Sequence, residues 1–168
     1  MKSDVLALTE TQLFPHDSEV DIQENLIPFG LYGQDHRTDK CLTLAVCTKP
    51  NFLMSDKRHV LSINALKFVI FNSLTNQRIS FLLLHRKNTT NIHEYFNNLN
   101  ELLSVFSIDF IMGNFNINYS NDTIITQLKE LMNFCAYKQV VQSATFLPSG
   151  SLLDHIYLKQ TDYYKLKV

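Results

Sequence analysis

The stretch Ile108–Tyr119, I-D-F-I-M-G-N-F-N-I-N-Y, constrains the fold most, because an unbroken apolar run stops at a glycine and gives way to an Asn-rich turn. Phe110, Ile111 and Met112 are apolar at every position, which predicts a short strand covered on both faces. Gly113 then permits a backbone angle that a side chain would resist, and Asn114 and Asn116 follow where the strand runs out. Polar groups at the ends of buried strands are held by a rigid sheet, and chemistry is commonly placed there. Read alone, Gly-Asn is also ordinary turn punctuation, so the other stretches decide.

Val5–Leu8 predicts a buried strand leading into Thr9-Glu10-Thr11, which sets a carboxylate at a strand end. Phe29–Tyr32, Leu42–Cys47, Val60–Ile63, Leu66–Phe71 and Ile79–Leu84 are further strand candidates, with a hairpin loop at Ser73–Arg78 and a helical turn around Ser18–Asn25. Ile92, Tyr95, Phe96, Leu99, Leu102, Leu103 and Phe106 recur at helical spacing, and Asn91 with Glu94 forms a capping-box start. Thr123–Phe134 repeats the pattern, with Asp122 as N-cap. Val140-Val141 and Ile156–Leu158 are short strands, and the loop between them delivers Leu152-Leu153-Asp154. Hairpins early and a strand-helix-strand-helix-strand run later imply an α/β sandwich in which each helix covers a sheet. With 168 residues, 45% of them hydrophobic, and no repeat or linker, residues 1–168 read as one domain.

Charge excludes little: 15 Lys and Arg stand against 16 Asp and Glu, and the basic residues come in short islands such as Lys57-Arg58-His59 and His85-Arg86-Lys87. That balance neither selects nor rejects nucleic acid. Cys41, Cys47 and Cys135 form no C-x-x-C pair and lie in apolar surroundings, which reads as buried thiols in a reducing compartment. Asp4 and Glu10 interrupt the region where a signal peptide would be apolar, and no apolar run is long enough to span a membrane. The expectation is an intracellular chain, nuclear or cytoplasmic, that is not secreted and has no membrane partner.

In chain order, Glu10, His85-Arg86, Gly113-Asn114-Phe115-Asn116 and Asp154 each follow or enter a strand. This order resembles the endonuclease/exonuclease/phosphatase superfamily, and within it the chain is similar to the apurinic-type endonuclease domain of non-LTR retrotransposons and related mobile elements. Family segments of the kind D-I-L-x-L-T-E-T, Y-R-x-P, G-D-F-N-I and S-x-I-D-H-I-Y are answered by D-V-L-A-L-T-E-T (Asp4–Thr11), H-R-K-N (His85–Asn88), G-N-F-N-I (Gly113–Ile117) and S-L-L-D-H-I-Y (Ser151–Tyr157). The resemblance implies a four-layer α/β/β/α sandwich, Mg²⁺-dependent hydrolysis of DNA phosphodiesters, and a fused or separate reverse transcriptase or helicase as a further partner. It implies that Glu10 holds the metal, that Asn116 donates to phosphate oxygens as charge builds, and that Asp154 orients a C-terminal His. His85 stands where the family has a Tyr that contacts phosphate.

The departures are equally informative. Asn114 occupies the place of the family's catalytic Asp, and a carboxamide accepts no proton at neutral pH, so a rate loss of about 10²–10⁴ is expected. His85 in place of Tyr keeps a hydrogen-bond donor. The family's first strand, with a metal-site Asn, and its Ser-Asp-His segment have no counterpart, so the expectation is an incomplete sandwich, truncated at both ends, that self-associates through exposed sheet edges. A catalytically inactive remnant or interaction module is the alternative, and a phosphoesterase acting on small substrates a more distant one. Other residues read as structural: His155 on the opposite side of its strand from Asp154, the aromatic stripe of the first helix as core, and Asn118 and Asn121 as turns. His16, His36, His59 and His93 show no ligand spacing.

Overall fold

The computed structural model describes residues 5–13, 30–34, 42–48, 51–120 and 123–160. Strands β1 (Val5–Leu13), β2 (Gly30–Gln34) and β3 (Leu42–Thr48) form an antiparallel sheet in the order β1-β3-β2. A second sheet contains β4 (Phe52–Val60), β5 (Ala65–Asn72), β6 (Gln77–His85), β7 (Phe110–Asn114), β8 (Tyr137–Gln139) and β9 (Asp154–Lys159), in the order β4-β5-β6-β7-β9-β8. Its pairs are antiparallel except β6 with β7, which run parallel. A parallel pair needs a long crossover, and α1 (Ile92–Val105) supplies it; α2 (Ile125–Phe134) follows β7.

Alternation along the strands divides the core in two. Leu82, Leu84 and Ile111 pack with Tyr95, Phe96, Leu99 and Leu102 of α1 and with Leu128 and Met132 of α2. The intervening residues Leu66, Phe68, Ile70, Phe81 and Leu83 pack with Leu44 and Val46 of β3. Each fully buried large side chain contributes about 1.5–3 kcal/mol over its exposed state, so the doubly covered strands β5, β6 and β7 anchor the molecule. The described residues therefore form three layers: helices, large sheet and small sheet. The helical turn around Ser18–Asn25 and the outer helical layer implied by the resemblance lie outside the described residues.

Local chemistry explains most boundaries. Asn91 Oδ1 accepts from the His93 and Glu94 amides at 3.0 and 3.2 Å, closing the start of α1. The β5–β6 hairpin turns between paired Asn72 and Gln77, with Asn72 Oδ1 accepting from Leu74 N at 2.9 Å and Asn76 at φ 56°.

Four expectations need correction. The first strand runs on from Leu8 to Leu13, so Glu10 lies within it and not at its end. The strand read at Val60–Ile63 is a 3-10 turn over Leu61–Ile63, and the true strand runs back to Phe52. Its polar stretch conceals it: the ladder is irregular between Ser55 and Arg58, where Asp56 takes φ 50°. The strand read at Val140-Val141 is Tyr137–Gln139, because Tyr137 buries its ring and donates its hydroxyl to Ile108 O at 2.7 Å, whereas Val140 is exposed. At α2 the cap position is Ile124, with no side-chain cap bond; Asp122 lies outside the described residues. Among the described residues no helix is long and apolar enough to cross a membrane.

Candidate active site

The pairing of β6, β7 and β9 builds the site. Along one face, successive rows read Phe81/Phe110/Leu158, Leu83/Met112/Ile156 and His85/Asn114/Asp154, because these residues are register partners across the three strands. Side chains in register on adjacent strands share a face. The first rows are apolar, and their Phe81, Leu83, Phe110 and Met112 pack toward the small sheet, with Phe68, Phe81 and Phe110 stacked at centroid distances of 5.2 and 5.1 Å. At the last row this face turns polar. Three of the five sequence-derived site residues thus stand side by side at one sheet end, about 5 Å apart from strand to strand.

Gly113 makes the row possible. Its φ is +138°, and a Cβ there would lie 1.9 Å from Leu84 O, so β6 and β7 could not approach with any larger residue. Beyond it the chain folds into an Asx turn: Asn114 Oδ1 accepts from Asn116 N at 2.8 Å, and Asn116 takes φ 50°. The Asn116 side chain is committed on one side, since Nδ2 donates to Arg86 O at 2.7 Å. Asp154 is the first residue of β9, not part of the preceding loop, and the Leu153 and Asp154 amides both donate to Thr145 Oγ1 at 3.0 Å. Asn64 Nδ2 donates to His85 O at 3.0 Å.

Sequence reading singled out His85 but gave Arg86, Asn64 and Thr145 no role. Arg86 is buried, and its guanidinium donates from Nε to Phe115 O at 2.9 Å, from Nη1 to Lys87 O at 3.1 Å and from Nη2 to Asn116 O at 3.3 Å. Its place in H-R-K-N was the available signal; Asn64 and Thr145 carried none. A cavity of about 120 Å³ lies between this segment, the 3-10 turn and α1, with Asn64, His85, Lys87 and Thr90 in its wall.

His155 behaves as its strand position suggested. It is fully buried, stacks on Phe115 at 4.7 Å, lies with Nε2 at 2.9 Å from Ile117 O, and has Nδ1 at 3.1 Å from the Tyr157 hydroxyl. Burial is the main cause that pushes its pKa down to about 4, leaving it neutral at pH 7. Asn118 is a turn residue, its Oδ1 accepting from Ser120 N and Leu152 N.

Glu10 lies in β1 where the pairing with β3 shifts between Thr9 and Leu13, and β1 packs against β6 and β7; of Glu10 only the backbone is described. A hard divalent cation needs several oxygen ligands. Among the described residues no three His, Cys, Asp or Glu side chains gather, and the row contributes one carboxylate, Asp154, beside a carboxamide oxygen already engaged with Asn116 N. The described residues by themselves do not make a Mg²⁺ centre.

No family model matches the sequence, and no curated protein matches it. Solved structures do. The endonuclease domain of TRAS1, a telomere-specific non-LTR retrotransposon, is similar at TM-score 0.64 and 11% identity over 79% of this chain and 65% of that one. An endonuclease/exonuclease/phosphatase family protein from Bacteroides thetaiotaomicron is similar at TM-score 0.67 and 15% identity over 94% and 69%. A mannosyl-6-phosphatase from the same organism is similar at TM-score 0.65 and 16% identity over 93% and 71%. The chain therefore has the endonuclease/exonuclease/phosphatase fold, and it spans 65% of the length of the TRAS1 chain. Nuclease and phosphatase share this fold, so it does not by itself choose a substrate.

Proposed function

We propose that the chain is an endonuclease-like domain derived from a mobile element, ancestrally a Mg²⁺-dependent DNA phosphodiester hydrolase, whose turnover is impaired at Asn114. The single observation that carries this reading is the row His85–Asn114–Asp154, in which three positions picked out by the motif resemblance, two of them with a changed residue type, are register partners on adjacent strands. Attack on a phosphodiester needs a group that takes a proton from water while charge builds on the phosphoryl oxygens. Asn114, at the middle of the row, offers no basic atom. Asn116 offers its second Nδ2–H for the phosphoryl oxygens, the first being given to Arg86 O, and His85 brings an imidazole to the row. Asp154 is the row's acceptor for orienting a donor. Glu10 is the carboxylate this reading assigns to a divalent cation, which would neutralise the phosphate; the described residues are insufficient without it.

A second reading, an inactive fold retained for binding, is favoured by the same Asn114. Both readings are tested by giving the folded Asn114→Asp chain supercoiled plasmid and, separately, an inositol phosphate, each with Mg²⁺ and with EDTA. EDTA-sensitive nicking without phosphate release from the small substrate supports the endonuclease. Phosphate release without nicking supports a small-substrate phosphoesterase. Neither activity leaves the binding module.

A further inference from the structure

We propose that Arg86 is a positioning residue for this reaction, holding the Asn114–Asn116 turn against the end of β6 and so fixing the carboxamide of Asn116; the inference rests on the function proposed above. Four hydrogen bonds join the two segments. Arg86 N donates to Asn114 O at 2.9 Å, Arg86 Nε to Phe115 O at 2.9 Å and Arg86 Nη2 to Asn116 O at 3.3 Å, while Asn116 Nδ2 donates back to Arg86 O at 2.7 Å. Two of the four use backbone atoms of Arg86 and survive any substitution there; the guanidinium adds the bonds to Phe115 O and Asn116 O, which clamp the backbone that carries the Asn116 side chain.

The chemistry suits a guanidinium. Arg86 is 6% exposed, so its donors act where water competes little. A planar fork can meet carbonyls in three directions from one buried position, which the compact ammonium of lysine on a flexible stem cannot. The held conformation also needs holding. Asn116 sits at φ 50°, a left-handed angle that an L-residue adopts at some cost, and the guanidinium bonds to the Asn116 carbonyl and to the Phe115 carbonyl beside it support that angle. Without them the turn relaxes and the Asn116 amide moves away from the row.

The test places Arg86→Lys, Arg86→Gln and Arg86→Ala in the Asn114→Asp chain. It measures kcat and KM for nicking, the urea midpoint, and hydrogen exchange at the Asn116 amide. The expected result is a kcat lowered by about 100-fold with KM nearly unchanged, as for a donor displaced by about 1 Å. Lysine should not rescue, protection at Asn116 should be lost, and added millimolar guanidinium should partly restore turnover to Arg86→Ala. Arg86→Lys keeps the charge and most of the stem, which makes it the variant to read if the others fail to fold. Full kcat in any folded Arg86 variant would overturn the proposal, as would lowered kcat with Asn116 protection intact. If Asn114→Asp itself does not nick, the functional reading fails separately, and exchange at Asn116 alone decides: retained protection overturns the latch, lost protection upholds it.

Discussion

At Gly113 one missing methyl sets the geometry of the whole site. Alanine there would bring its Cβ 1.9 Å from Leu84 O at a φ of +138°, and the obstacle is backbone, which cannot swing aside. Gly113→Ala is expected to lower stability by on the order of 3–5 kcal/mol, read from the urea midpoint; a change below about 1 kcal/mol would mean that β6 and β7 separate easily. Asn114 is the opposite case. Its Oδ1 accepts from Asn116 N at 2.8 Å, and a carboxylate accepts the same bond, so Asn114→Asp should preserve the turn while adding a basic atom. These two residues were legible in the sequence because glycine and asparagine at the end of an apolar run are both backbone and chemical signals. For Arg86 the H-R-K-N segment marked the position but not the role, since the role lies in carbonyls of residues about thirty positions away, and no local pattern records which carbonyls a side chain will reach.

Elements whose sequence periodicity matched their burial were read correctly. The first helix was, because the residues spaced three and four apart face the sheet and Asn91 caps it with two bonds. Asn91→Ala should cost about 1 kcal/mol in the urea midpoint, and no change would show that packing alone starts the helix. β4 escaped reading because its ladder is interrupted at Ser55–Arg58, which breaks the alternation that marks a strand. β9 carries the pH dependence. Its His155 is buried and neutral with a pKa of about 4, against an ordinary value of 6.5. As pH falls below 6.5 the unfolded chain takes up the proton first, so stability is full above about 6.5 and is lost progressively toward pH 4. The loss is on the order of 3 kcal/mol. Urea midpoints across that range test it, and a His155 imidazole titrating near 6.5 by NMR would contradict it.

At the scale of the molecule, two cores back to back make the large sheet rigid, and rigidity lets residues from three strands be held in one row. The alternation of strand and helix was legible because both faces of β5, β6 and β7 are covered, which forces continuous apolar runs. That His85, Asn114 and Asp154 would fall in register was not, because pairing depends on which strands meet and by how much they slide. The proposed function makes this row a phosphodiester site impaired by one amide. Its most direct test is the rate at which the natural chain and Asn114→Asp, matched in urea midpoint, nick supercoiled plasmid in Mg²⁺. The expected result is nicking by Asn114→Asp at least about 100-fold faster than by the natural chain. A folded Asn114→Asp chain that nicks no faster would contradict a role for Asn114 in limiting turnover.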